Sequence, residues 1–484
     1  MTSPRRPNPK SSPVSSPYSA KREAPALEQR SQQPSKPRPT QQPASEQVRP
    51  PKRSSPVPVT RLSSSESSPS SPCAMISRRA SESIRNGHLW VYASEIESLQ
   101  PGKSSDREGL LPVADNRGIL LGTALYSPMS QIALRMVSRE LITQPQWLNM
   151  LAERLRTAIQ RRKPLLSEDT NACRLVFSEA DDLPGIIVDK YAGIAILQLL
   201  AKGLDNAATR QACAKIIAEA LADSDPALTI WERPDPRIRE LEGLSAPSAV
   251  PLFAGSEQHA STIFRLNGLS FHFDVNSGQK TGAFLDQRQS YAAAEAWAKA
   301  RNAKKALDVC TYQGGFALHL ARVCSHVTGV DSSRASLEVA ERNLSLNRET
   351  DPNPIAADVD WVEADAFELL RAWSEVKETS DWDLIVLDPP AFAKSKRAVE
   401  GALRGYKELN LRALRMIRTG GLLVTCSCSH HVGWSDLEAA VASAAVNAHR
   451  RVTLLERRGA ALDHPVLLNL PETEYLKCLV CQVD

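Results

Sequence analysis

A chain of 484 residues is too long for one ordinary domain and points to two to four. Its nine cysteines are odd in number, and neither Cys426/Cys428 nor Cys478/Cys481 is joined by a second pair at metal-site spacing. Reduced thiols in a cytosolic enzyme without a metal site fit better than a disulfide framework. No apolar run reaches the ~18 residues that span a bilayer. The net charge of +4 is uneven: residues 1–72 hold 12 basic and 4 acidic residues, the remainder 47 and 51. Attraction to nucleic acid must therefore come from local patches or from the tail.

Residues 1–72 are rich in Ser, Pro, Gln and Arg and poor in aromatics, so they are expected to be a disordered basic tail. They lack the apolar core of a secretory signal, and repeated prolines oppose the amphipathic helix of a transit peptide. From Cys73 to about residue 140, short apolar stretches cut by Gly, Pro and Asp predict a small β-barrel that starts with a strand near Ala74–Arg78. Arg78, Arg79 and Arg85 cluster near its start, either to meet phosphates or as a solvated rim. Residues 141–262 read as an α+β domain, with helices over 144–162 and 207–222. Its strands are expected near 174–178, 185–189, 194–200 and 228–232.

Residues 263–484 alternate strand and helix, the pattern of a doubly wound α/β sheet. Strands are expected at 306–309, 326–330, 360–363, 384–387, 422–426 and 476–482. In such a sheet the ligand lies beyond the carboxyl ends of the strands. Three ends in succession carry suitable groups: Asp308 with the turn Gln313-Gly314-Gly315, then Asp331, then Asp365-Ala366. Glycines permit a tight turn, and the two later acids suit ribose hydroxyls and an adenine amine. The turn is not Gly-x-Gly-x-x-Gly, which argues against a dinucleotide and for S-adenosylmethionine. A single Asp at a strand end is more often a helix cap. The segment Gly278–Arg288 looks like a binding loop, with Phe284 in it and Asp286 or Arg288 for the amino-acid end of the cofactor; its alternative is a capped helix start.

Asp388-Pro389-Pro390 ends one apolar strand, and Cys426 and Cys428 end another. At i and i+2 on a strand, both thiols are expected to face one cavity. Cys310, Cys324, Cys478 and Cys481 are assigned to the core, where cysteine is common.

Gly278–Arg288, Asp308–Phe316, Asp388–Lys396, Gly405–Leu411 and Gly420–His431 together resemble the S-adenosylmethionine-dependent methyltransferases of bacterial 23S rRNA cytosine carbon-5. The resemblance extends to His88–Tyr92 and Leu183–Asp189, so it covers nearly everything after residue 73. It implies an N-terminal PUA domain, a central α+β domain and a Rossmann-like catalytic domain. Gln313 stands where the family usually has Thr, and Cys310 where it often has an aromatic or Asn.

The implied chemistry is thiolate addition to carbon-6, which makes carbon-5 nucleophilic. By the family's Thr-Cys-Ser/Thr unit, counted from Gly420-Gly421, the nucleophile is Cys428, with Cys426 as second choice. Ala391 occupies the place of the release cysteine carried by related cytosine methyltransferases. Asp388 would bind the N3/N4 edge of an unstacked cytosine, which Pro389 and Pro390 would enclose. Lys394, Lys396, Tyr406 and Lys407 would guide or stack on RNA. The expected partner is 23S rRNA, with no membrane; a homodimer stays open. Rival readings are a guanine-N7 rRNA methyltransferase, which needs no thiol, and a non-catalytic RNA-binding scaffold.

Overall fold

The computed structural model describes residues 72–484 apart from 101–108, 234, 351–353, 377–380 and 394. The basic tail, save Pro72, lies outside the described residues, as does Lys394.

Six short strands between Ala74 and Ser138 form one sheet around a core that includes Ile76, Ile84, Val91, Leu111 and Leu134. The first strand stops at Ile76, earlier than expected. Ser77 caps a helix instead: its hydroxyl accepts from the Ala80 amide at 3.2 Å, and Arg78–Arg85 is helical. Ala80, Ser81 and Ile84 face inward, while Arg78, Arg79 and Arg85 lie on the exposed side.

The next sheet runs in the order Phe253–Ala254, Thr229–Glu232, Ile194–Leu199, Ile186–Tyr191, Ala172–Phe177. Helices Gln144–Arg162 and Ala207–Leu221 accompany it. The first begins with a capping box, in which Gln146 accepts from the Thr143 amide at 2.8 Å. Its Trp147, Leu151, Leu155 and Ile159 recur at helical spacing and share a core with Leu175, Val188 and Leu197. An unexpected hairpin, Ser261–Leu266 with Leu269–Asp274, leads into the last sheet. Its two-residue turn, Asn267-Gly268, has φ of 52° and 85°, the signature of a tight hairpin.

The last sheet has seven strands: β1 (Lys305–Val309), β2 (His326–Asp331), β3 (Asp358–Glu363), β4 (Trp382–Leu387), β5 (Ile417–Ser427), β6 (Val452–Arg458) and β7 (Lys477–Val483). Their order is β3-β2-β1-β4-β5-β7-β6. The first five are parallel, and β7 is antiparallel to both its neighbours. All six residues of β4 are buried, as a central parallel strand covered on both faces requires. Strand order reverses between β1 and β4, which puts a crevice at their carboxyl ends.

Candidate active site

The turn after β1 is tied down from below. The Asp308 carboxylate accepts from the Thr311 hydroxyl at 2.5 Å and the Ala317 amide at 2.9 Å. Gly314, at φ 86°, opens the helix Gly315–Ala321 in a conformation that glycine adopts freely. A Cβ on Gly315 would stand 2.5 Å from the Tyr291 ring. Burial pushes the Asp308 carboxyl up to about 7. Asp308, Gln313, Gly314 and Gly315 thus shape the turn without lining the cavity above it. Asp308 is fully buried, and the Gln313 carbonyl is taken by the Asn343 amide.

That cavity measures about 490 Å³ and lies at the carboxyl ends of β1, β2, β3 and β4. Asp331, Asp365, Asp388 and Asp286 all reach its wall. Asp331 accepts from the Tyr312 and Ser333 amides at 2.9 Å each. Asp365 is both cap and wall: one oxygen receives the Phe367 and Glu368 amides. Ala366, Phe367, Phe284 and Tyr312 supply apolar surface beside these acids.

Asp286 is held by Lys280 at 2.6 Å and by the Tyr475 hydroxyl at 2.5 Å. Burial pushes its carboxyl up, but Lys280 and His464 outweigh burial and keep it below the usual carboxylate range. Arg288 does not reach the cavity. Its guanidinium is buried against Asp463 and the Ala172 carbonyl at 3.2 Å each, so it ties the loop to neighbouring chain.

The two thiols do not share the cavity. β5 ends at Ser427, so Cys428 leaves the pleat that would have aligned it with Cys426. Cys426 is wholly buried opposite Cys478 on β7. Burial and Cys478 raise its pKa well above the ordinary thiol value. Cys428 lines the cavity, with its Sγ 3.9 Å from the Pro389 carbonyl. Burial, then the Asp388 carboxyl, push its thiol up to about 11. Asp388 itself is pushed up to about 7 by burial and by Asp286 and Asp308. A carboxyl with that value is present in both protonation states near neutrality.

Pro389 and Pro390 line the same wall. Tyr406 does not serve as an RNA-stacking residue, because its ring is fully buried. Its hydroxyl meets Ser427 at 2.8 Å and Ser429 at 3.0 Å, the residues flanking Cys428. Lys396 is exposed and Lys407 half-buried, both outside the cavity wall. Arg78 pairs with Glu82 at 3.0 Å and Arg85 with Asp115 at 2.6 Å, while Arg79 is exposed. Sequence reasoning missed Lys280, Gln287 and Tyr475. The first two lie within the quoted loop, whereas Tyr475 arrives from the chain just before β7.

Residues 236–464 match a family described as S-adenosylmethionine-dependent methyltransferase, and residues 75–139 match a PUA-like domain. A ribosomal RNA large subunit methyltransferase I from Photobacterium profundum is 37% identical over 407 residues, covering 83% of this chain and 97% of its own. The protein of the same name from Pseudoalteromonas translucida is 36% identical over 409 residues, with shares of 83% and 97%. This chain belongs to their family, the S-adenosylmethionine-dependent methyltransferases with a PUA-like domain. Among solved structures, a Streptococcus mutans chain assigned as a SAM-dependent methyltransferase superposes with TM-score 0.68 at 18% identity. It covers 84% of this chain and 99% of its own. A second, solved with S-adenosylhomocysteine, gives TM-score 0.69 at 19% identity, with the same coverage. Both likenesses concern the fold.

The cavity of this methyltransferase suits the cofactor. Four carboxyl groups converge on it, and among the described residues of its wall Lys280 is the one Lys or Arg. That balance favours a cationic ligand. Asp331, at the end of β2, and Asp365, just beyond β3, line the cavity. When bound, S-adenosylmethionine supplies an electrophilic methyl group.

Proposed function

We propose that this methyltransferase modifies carbon-5 of a cytosine in large-subunit ribosomal RNA, with Cys428 as nucleophile. The observation that carries the reading is the meeting of Cys428, Asp388, Pro389 and Pro390 on one wall of the cofactor cavity. The names of the relatives support the RNA substrate, and the PUA-like domain with its exposed Arg78 and Arg79 supports RNA contact. Lys396 and Lys407 lie on the segment after Pro390 and would follow the RNA backbone. Residues 73–140, 141–262 and 263–484 act in this reading as RNA-binding, central and catalytic domains of a cytoplasmic enzyme.

The chemistry begins at Asp388. In its neutral form it donates to cytosine N3 and exerts no repulsion on a thiolate at Cys428. Cys428 loses its proton to water and its Sγ bonds to carbon-6 as N3 takes the Asp388 proton, which leaves an enamine nucleophilic at carbon-5. Carbon-5 would take the methyl group from the cofactor's sulfonium sulfur, which leaves as a neutral thioether; loss of the carbon-5 proton to water then expels the Cys428 thiolate, and N3 returns its proton to Asp388. A thiol pushed up to about 11, first by burial and then by Asp388, is mostly protonated at rest, and engagement of Asp388 by the nucleobase would relieve the second of these causes.

The test is transfer of labelled methyl to protein-free 23S rRNA from cells lacking this protein, followed by nucleoside analysis. Wild type and Cys426→Ala are expected to yield 5-methylcytosine, and Cys428→Ala none. Label on guanine, unaffected by either change, would replace the thiol mechanism with N7 methylation. No transfer, with cofactor binding absent, would favour the non-catalytic scaffold.

A further inference from the structure

Lys477 opens β7 and is only 2% exposed. In register it stands directly across from Ser427, the last residue of β5. Its ammonium reaches past that strand end and donates to the Ser429 carbonyl at 2.9 Å and the Tyr475 carbonyl at 2.8 Å. Lys477 thus engages the residues on both sides of Cys428, Ser427 through the sheet and Ser429 through its side chain. The same ammonium ties this turn to Tyr475, whose hydroxyl holds Asp286.

A buried ammonium is normally paired with a carboxylate, because carbonyl dipoles alone offset only part of its lost hydration. Both partners of Lys477 are carbonyls, and among the described residues no carboxylate pairs with it. Burial presses its pKa down, whereas Glu474, Cys428 and Asp436 pull it up. Of these three, only Cys428 lines the reaction cavity. The coupling works in both directions: a cation that gains from a thiolate also favours that thiolate.

Building on the assignment of Cys428 as nucleophile, we propose that Lys477 is its positioning residue, clamping the turn that presents the thiol and supplying the positive charge that favours the thiolate. The other charges around the thiol do not fill that role. Asp388 and Asp286 oppose the thiolate, and Lys280 is tied to Asp286 at 2.6 Å, which offsets its charge. Tyr406 braces the flanking serines through a hydroxyl whose pKa burial raises. His430, which burial pushes below the ordinary imidazole value, is neutral in alkaline solution.

The test follows alkylation of Cys428 by iodoacetamide at about pH 9, in the full chain without cofactor or RNA, by mass spectrometry of the Cys428 peptide. There Asp388 is ionised and the thiol still largely protonated, so the rate reports the thiolate fraction. Lys477→Met fills the buried space without charge, Lys477→Gln keeps donors for the carbonyls without charge, and Lys477→Arg keeps the charge. Two neutral replacements are used so that a folding defect in one does not decide the result. Alkylation is expected to slow roughly 10-fold in both and to stay within about threefold of wild type in Lys477→Arg, with S-adenosylmethionine affinity unchanged in calorimetry. A wild-type rate in Lys477→Gln would reduce Lys477 to a hydrogen-bonding brace and overturn the proposal. Equal slowing in Lys477→Arg, or slowing with cofactor binding lost in both neutral variants, would reduce it to packing and overturn it equally. Methyl transfer is measured separately, with kcat expected to fall and KM for RNA to hold. Slowed alkylation with undiminished methyl transfer would sink the nucleophile assignment while leaving the coupling of the two groups intact.

Discussion

Replacing Asp388 with asparagine should make the protein more stable in alkali while ending its chemistry. The unfolded carboxyl titrates near 3.9, and the folded one is pushed up to about 7, chiefly by burial. Below the lower value the group is neutral in both states and exerts no pH-dependent effect. Between the two values the unfolded chain ionises while the native carboxyl keeps its proton, so stability falls as pH rises. The slope is about 1.4 kcal/mol per pH unit, and above pH 7 the full penalty of roughly 4 kcal/mol is present. Asp388 keeps some contact with solvent through the cavity, which makes that figure an upper bound. Asparagine is neutral throughout, so its gain at pH 8 should exceed its gain at pH 5 by up to about 2–3 kcal/mol. Urea unfolding followed by tryptophan fluorescence measures both gains; Trp361, Trp373 and Trp382 lie in the catalytic half. Equal gains at the two pH values, or a loss at pH 8, would refute the strained-carboxyl argument. On the proposed cytosine chemistry, methyl transfer by the asparagine variant should be lost at both, since asparagine has no acid to give N3.

Two further substitutions probe the scaffold of the site. Gly315→Ala drives a methyl group to 2.5 Å from the buried Tyr291 ring, which should destabilise by about 1–3 kcal/mol and weaken S-adenosylmethionine binding in calorimetry. Tyr406→Phe removes the hydroxyl shared with Ser427 and Ser429 and should destabilise by about 1–2 kcal/mol. Because those serines flank Cys428, kcat should fall while KM for RNA stays near wild type; a purely structural role would leave kcat intact.

The inner parallel strands β1, β2 and β4 were legible because they are largely buried and read as short apolar runs, whereas the parallel edge strand β3 has no buried residue. Expected and observed bounds differ by two residues or fewer for β1 to β4 and β7. β5 begins five residues early, through Gly420-Gly421, where a glycine pair reads as a boundary. β6 escaped notice because Val452–Arg458 mixes apolar and charged residues on an outer strand that is only partly buried. The hairpin before the sheet carries a readable turn signal in its sequence, Asn267-Gly268.

At the site, the acids at the strand ends were legible from position alone. Whether an acid faces a ligand or a turn was not: Asp308 and Asp331 look alike in sequence, yet only Asp331 reaches the cavity. The pairing of Cys426 with Cys428 misled for a similar reason. The i, i+2 rule holds only while the strand lasts, and the strand ends between them.

The loop that shapes the cavity is held from outside the catalytic half. The Thr281 hydroxyl sits between Tyr191, at 2.7 Å, and Asp189, at 2.6 Å, while Arg233 grips the Thr281 and Gly278 carbonyls at 3.1 and 2.7 Å. Asp189 is in turn clamped by Arg174 through two bonds of 2.7 Å. A fragment trimmed to the methyltransferase match at 236–464 would discard all four of these central residues and β7 as well. Such a fragment would keep the residues of the chemistry and lose the mould that shapes them. Engineering this enzyme by domain exchange must therefore move the central sheet and the catalytic sheet together.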